Sequence, residues 1–267
     1  MANGIEINAR QLDQANSSRD RANQRIASGK RINSAADDAA GAAIAVRLSA
    51  QLSASSQLRR NVSDALSLTD TASGSLGQVN AALQRMRELA LQANEAGLTV
   101  RDRTAIDIEY AKLSETLNQQ ATGTRYNGRP LLDGSFGAKI QTSEEQGVQL
   151  DLADVSAQGL GLDATSVTSP ESARDAIGKI DQALAQVSDQ QASIGAAQSA
   201  LEATVSGLSV SYESLASTRS RRVDADLAAE SSQASQATMQ QQAALKAVSL
   251  YQQNQASRLE LLSSVKA

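Results

Sequence analysis

An unbroken four-three spacing across residues 180–215 constrains this chain more than any other feature. Ile180, Leu184, Val187, Gln191, Ile194, Gln198, Leu201, Val205, Leu208, Tyr212 and Leu215 alternate steps of four and three without a miss. Steps averaging 3.5 residues keep one stripe on one face of an α-helix and seat it against a partner helix. A strand alternates every two residues and would scatter the same side chains over both faces. The segment predicts a helix in a coiled-coil seam.

A partner pattern runs from 41 to 94. Leu48, Val62, Leu76, Leu83 and Ala90 fall at multiples of seven, and Ile44, Leu58, Ala65, Ala72, Val79 and Met86 supply the second seam position. A helix of roughly 50 residues is about 75 Å long, so it must pack against other long helices. NEAGLT at 94–99 breaks it, and a third helix is expected over 101–120, with Ile106, Tyr110, Leu113 and Leu117 on one face. Composition agrees: aromatics are 2 %, there is one Phe and no Trp, and Pro130 and Pro170 are the only prolines. A thick spherical core wants aromatic anchors, whereas Ala, Leu, Val and Ile suit slender helix seams.

The two ends carry weaker seams. Ile5, Leu12, Arg19 and Ile26 share one position with Asn8, Ala15 and Ala22 on the other, and Gly29 closes the helix. At the C-terminal end the inner-helix seam is read as Leu227, Ala234, Leu245, Val248, Leu259 and Leu262, interrupted by Ser231, Thr238, Gln241, Gln252 and Gln255. Such stripes cannot offset chain entropy alone, so both terminal helices are expected to order where several copies bury them together.

The middle, 124–165, reads as a small β region. Asn127-Gly128 and Asp133-Gly134 are hairpin signals, and KIQTSEEQGVQLDLADV continues as short strands around Gly147. Pro170 suits the first turn of the helix that follows. The fold class is therefore mainly α: an elongated antiparallel helical bundle with a β-hairpin region in the middle of the chain.

Chemistry is narrowly bounded. The chain has no His and no Cys, which excludes Ser-His and Cys-His catalysis and removes the preferred zinc and iron ligands. Of the carboxylate pairs Asp37/Asp38, Asp224/Asp226 and Glu144/Glu145, none has calcium-loop spacing, and DADLAAE lacks the central Gly. No catalytic residue, cofactor site or metal site is expected. A net charge of −4 speaks against a nucleic-acid partner. No window reaches the roughly 18 apolar residues of a membrane span, and MANGIEINARQLDQ does not read as a secretory leader.

Two charged nodes remain, each where a strong seam meets a weak one. Lys30-Arg31 is followed by Asp37-Asp38, and Arg219-Arg221-Arg222 by Asp224-Asp226. SGKR lacks the phosphate-loop spacing. Gly29 is read as a helix stop, Ser34 with Asp37 as a capping-box variant, and the acids as partners of a helix dipole. All nine charged residues are either solvated surface or contacts between copies.

Four strings carry a resemblance: RIASGKRINSAADDAAGAAIAVRLSAQL, LQRMRELALQANE, RYNGRPLLDGSFG and SYESLASTRSRRVDADLAAESS. In this order, and spread over essentially the whole chain, they resemble bacterial flagellin. The resemblance implies an inner tubular domain made of 1–40 and 218–267, an outer core domain of 41–217, and no inserted outer domains. It implies a helical homopolymer, export unfolded through the flagellar type III apparatus, and an extracellular filament used for motility. Implied partners are an export chaperone on the C-terminal helix, filament cap and hook–filament junction proteins, and a vertebrate Toll-like receptor. The positions matching the receptor-contact pattern are Gln84, Arg85, Leu89, Gln92 and Glu109. Arg19 stands where the family usually has an apolar residue, and LLSSVKA runs a few residues past the usual Leu-Leu ending. Alternatives are a hook–filament junction protein, which tends to place Pro after the paired acids, and a flagellin-like surface adhesin or receptor.

Overall fold

The structure, a computed structural model, describes residues 2–143 and 146–264, with side chains over 10–143 and 146–258. The side chains of Ile5, Glu144, Glu145, Leu259 and Leu262 lie outside the described residues. Five α-helices are present among the described residues: α1 (Ala2–Ser28), α2 (Ala39–Ala93), α3 (Val100–Gly123), α4 (Pro170–Val223) and α5 (Leu227–Ser264). Between α3 and α4 lie two antiparallel two-stranded sheets, β1 (Arg125–Tyr126) with β2 (Arg129–Pro130) and β3 (Gly137–Gln141) with β4 (Gly147–Asp151). The chain divides into two compact units: Met1–Ser53 with Glu213–Ala267, and Ala54–Tyr212.

In the second unit α2 and α4 run antiparallel. Asp70 accepts from Gln198, Arg87 donates to Asp181, and Asn94 accepts from Arg174, so one partner's number falls as the other's rises. The seam beneath these ties is the one the periodicity predicts. Val62, Leu76, Val79, Leu83 and Met86 of α2, with Ile180, Val187, Ile194 and Leu201 of α4, are buried. Every seam position named over 180–212 is buried or half-buried. α3 adds Ile106, Tyr110 and Leu117 to the same core.

Asn127 and Gly128, with φ of 50° and 79°, make the tight turn joining β1 to β2, as an Asn-Gly pair should. Asp133-Gly134 does turn, with Gly134 at φ 76°, but no hairpin spans it. Asp133 instead accepts from the Ser135 backbone and hydroxyl, and bridges to Asp154. The β region and the loop after it feed Leu131, Leu132, Phe136, Leu150, Val155, Leu162 and Val167 into the helical core. The small sheets thus supply the bulk that a core poor in aromatics lacks.

Buried Arg103 closes the α2–α3 corner. Its guanidinium donates to the carbonyls of Ala93, Leu98 and Glu95 at 2.9, 2.8 and 2.7 Å. The positive charge thereby meets the negative end of the α2 dipole instead of a carboxylate. Thr99 caps α3 with Asp102 in a reciprocal capping box, and Ser169 caps α4 just ahead of Pro170.

In the first unit α1 pairs with α5, and the seam differs from the one expected. Ala15 and Ala22 of α1 face Ala237, Ala244 and Glu230 of α5, all buried. Leu12 and Val248 are half-buried, whereas Ile26, Leu227 and Leu245 are 37 %, 54 % and 49 % exposed. Residues 230, 237 and 244 recur by sevens, each followed four residues later by a half-buried one: Ala234, Gln241 and Val248. The physical reason is size: alanines let two helix backbones approach closely, and larger aliphatic side chains flanking such a seam are turned outward.

Candidate assembly interface

Gly29 ends α1 with φ 66°, the left-handed conformation that costs a glycine little. The chain then lies antiparallel to the end of α4. The Arg31 N–H donates to the Val223 carbonyl at 2.7 Å, the Ala225 N–H to Gly29 at 3.0 Å, and the Arg31 guanidinium to the Arg222 carbonyl at 2.7 Å. Two charged nodes nearly 200 residues apart in sequence are therefore one structure.

The four acids of the nodes divide by role. Asp38 Oδ1 accepts from the Gly41 N–H at 2.8 Å, and its carbonyl accepts from Ala42, so Asp38 is the N-cap of α2. Ser34, expected as that cap, instead donates to Asp37 Oδ2, as do the Ser34 and Asn33 N–H groups. Those three donors, the Ser34 N–H foremost, hold the Asp37 carboxyl below the usual carboxylate range. Asp226 accepts from the Ala228 and Ala229 N–H groups and caps α5. Asp224 forms a backbone bridge with Lys30.

Among the basic residues, Arg31 approaches Asp38 at 3.9 Å, and Arg221 reaches Ser217 and Thr218 on its own helix. Arg222 is exposed. Lys30 and Arg219 line a cavity of about 330 Å³ with Ile32, Ser34, Val46 and Val223. Arg219 Nε is buried and has no hydrogen-bond partner among the described residues.

Along the α1–α5 pair, the Arg25 guanidinium meets the buried Glu230 carboxylate at 3.1 Å, and Arg19 donates to Gln241 at 2.9 Å. The polar residue at position 19 is thus matched by a polar residue opposite. Sequence reasoning missed Glu230 and Arg103. An i,i+7 relation from Glu230 to Ala237 and Ala244 was the available signal for the first.

The five positions on α2 and α3 fall in the second unit. Arg85 donates to Glu109 at 2.8 Å and to Glu88 at 3.0 Å, and those carboxylates hold its guanidinium more firmly protonated than usual. Gln84 donates to Asn80, Gln92 is exposed, and Leu89 is buried at 2 % exposure. Arg85 and Glu109 thus form one surface pair, and Leu89 belongs to the core beneath.

Among the described residues no helix is long and apolar enough to cross a membrane, and no group of three acids is placed to hold a metal. The family model for the bacterial flagellin N-terminal helical region matches residues 3–137, and that for the C-terminal helical region matches 177–262. A flagellin of Halalkalibacterium halodurans is 37 % identical over 215 residues, covering 79 % of both chains. A flagellin of Bacillus subtilis is 32 % identical over 259 residues, covering 83 % of this chain and 85 % of its own. The crystal structure of Bacillus cereus flagellin superposes with a TM-score of 0.51 at 28 % identity, over 56 % of this chain and 88 % of that one. On both family models and on relatives matched over about four fifths of their length, this chain belongs to the bacterial flagellin family and is a structural subunit of the extracellular flagellar filament.

Proposed function

We propose that this subunit polymerises through its α1–α5 helix pair and the joined nodes, and that 1–40 with 218–267 forms the inner tube while 41–217 forms the outer core. The observation carrying this reading is what the pair leaves uncovered. Its own seam is alanine, and Ile26, Leu227, Met239, Leu245 and Leu250 remain 37–61 % exposed. Exposed aliphatic side chains along a helix pair mark an association surface. Neighbouring copies related by a repeating, non-closing contact would cover them and extend a filament. The subunit works without catalysis, as a propeller that transmits torque.

Export follows the same physics. A helix pair stabilised chiefly by other copies is easily held unfolded, which suits passage through the flagellar type III apparatus, with a chaperone on α5 covering the same aliphatic residues until assembly. The filament cap and the hook–filament junction proteins would meet that surface at the two filament ends. Arg85 and Glu109, with exposed Gln84 and Gln92, form the surface that a Toll-like receptor would read, and Leu89 supports it from below.

The test is recovery of the chain from sheared surface filaments, with electron microscopy and motility of a deletion strain. Filaments lost on deletion and restored by the gene support the reading. A motile deletion strain with normal filaments, or a protein found only inside the cell, contradicts it.

A further inference from the structure

Charge is divided unevenly between the two units. Met1–Ser53 with Glu213–Ala267 carries 13 Lys and Arg against 10 Asp and Glu, whereas Ala54–Tyr212 carries 12 against 19. The first is net +3 and the second net −7, together the −4 of the chain. The cavity at the joined nodes lies wholly in the basic unit. Among the described residues its two cations make no ion pair or side-chain hydrogen bond, although Arg31, Asp37, Asp38 and Asp226 all do. One nitrogen of Arg219 is removed from solvent with nothing to donate to. Buried donors are nearly always paired, so an unpaired one leaves this guanidinium incompletely satisfied in the separate subunit. The cavity's other wall is apolar, with Ile32 and Val223 buried and Val46 72 % exposed at its rim.

We infer that this cavity is a receptor for a carboxylate side chain from the acidic unit of a second copy of the chain. A fork of guanidinium N–H groups beside an ammonium, over an apolar wall, suits the head and stem of a Glu or Asp side chain. The acidic unit offers candidates: Asp64, Asp189 and Glu202 are exposed, and their carboxylates make no ion pair or side-chain hydrogen bond among the described residues. The inference rests on the filament reading above and adds the chemistry of one contact. In the separate subunit the side chains of Lys30 and Arg219 make no tie, the Lys30 bridge to Asp224 being backbone only, so replacing them should weaken assembly without weakening the fold.

The experiment uses the full chain, polymerised from purified subunits. Lys30→Gln with Arg219→Gln is expected to raise the critical concentration about tenfold, the size of one charge-assisted contact, with far-UV circular dichroism of the unpolymerised chain unchanged. Zero-length carbodiimide coupling of filaments grown from mixed 14N and 15N subunits should join Lys30 to an acid within 54–212 in a mixed-isotope peptide. Polymerisation of the double variant at the wild-type critical concentration overturns the inference. So does coupling of Lys30 only to acids of its own chain or of the basic unit. Wild-type subunits that fail to polymerise at all would instead count against the filament reading.

Discussion

Arg25 of α1 and Glu230 of α5 meet at 3.1 Å across the alanine seam, and the second oxygen of Glu230 is buried with no partner. The Glu230 side chain is 8 % exposed and that of Arg25 is 28 %. Removing one member of such a pair strands a charge away from water, whereas removing both does not. Arg25→Ala should therefore destabilise the helix pair by about 3 kcal/mol, and Arg25→Met with Glu230→Leu should recover most of that loss. Thermal dissociation of filaments measures both. Equal loss in the single and the double variant would show that the pair contributes attraction rather than compensation.

Asp38 and Asp226 cap α2 and α5 with side-chain oxygens on backbone N–H groups. Replacing either with Ala should cost about 1 kcal/mol, and with Asn far less, because an amide oxygen still accepts. Chemical unfolding of the unpolymerised chain reads Asp38→Ala. For Asp226→Ala the filament melting temperature is the readout.

Arg103→Ala leaves three carbonyls at the α2–α3 corner without their donor. The expected loss is about 3 kcal/mol, with Arg103→Lys intermediate, since an ammonium cannot fork to three acceptors at once. Hydrogen exchange should rise first over residues 93–103. Uniform exchange with an unchanged urea midpoint would rule out a structural role for this side chain.

The pH response has two distinct arms. Asp37 is depressed chiefly by the Ser34 N–H, Asp102 by the Thr99 hydroxyl and Asp133 by the Ser135 hydroxyl. A depressed carboxylate stabilises the fold above its unfolded value, and that contribution fades as pH falls below about 4. Tyr110 runs the other way. Burial raises its phenol despite the hydrogen bond with Thr165, so the stability it confers is complete below about pH 10 and is lost as pH climbs further. Ultraviolet titration should show one of the four tyrosines ionising last, and Tyr110→Phe should remove that step. Four tyrosines titrating together would contradict this.

Legibility in the sequence followed the kind of residue carrying each feature. The 180–215 seam was readable because its aliphatic residues sit in the core, and Asn127-Gly128 because only such a pair makes that turn cheaply. The α5 register was not, since hydrophobicity selects Leu227 and Leu245 whereas the buried face belongs to alanines and one glutamate. Adjacent acids hid the cap: Asp37 and Asp38 differ by one residue, and only backbone geometry shows which meets the helix. Joining of the two nodes is a long-range backbone event with no local signature.

Sedimentation of the chain lacking 1–28 and 227–264, beside the full chain under identical seeding, tests the central claim most directly. The account predicts filaments from the full chain, and from the shortened one a soluble, still helical protein with none. Filaments of normal length and yield from the shortened chain would contradict assembly through the α1–α5 pair.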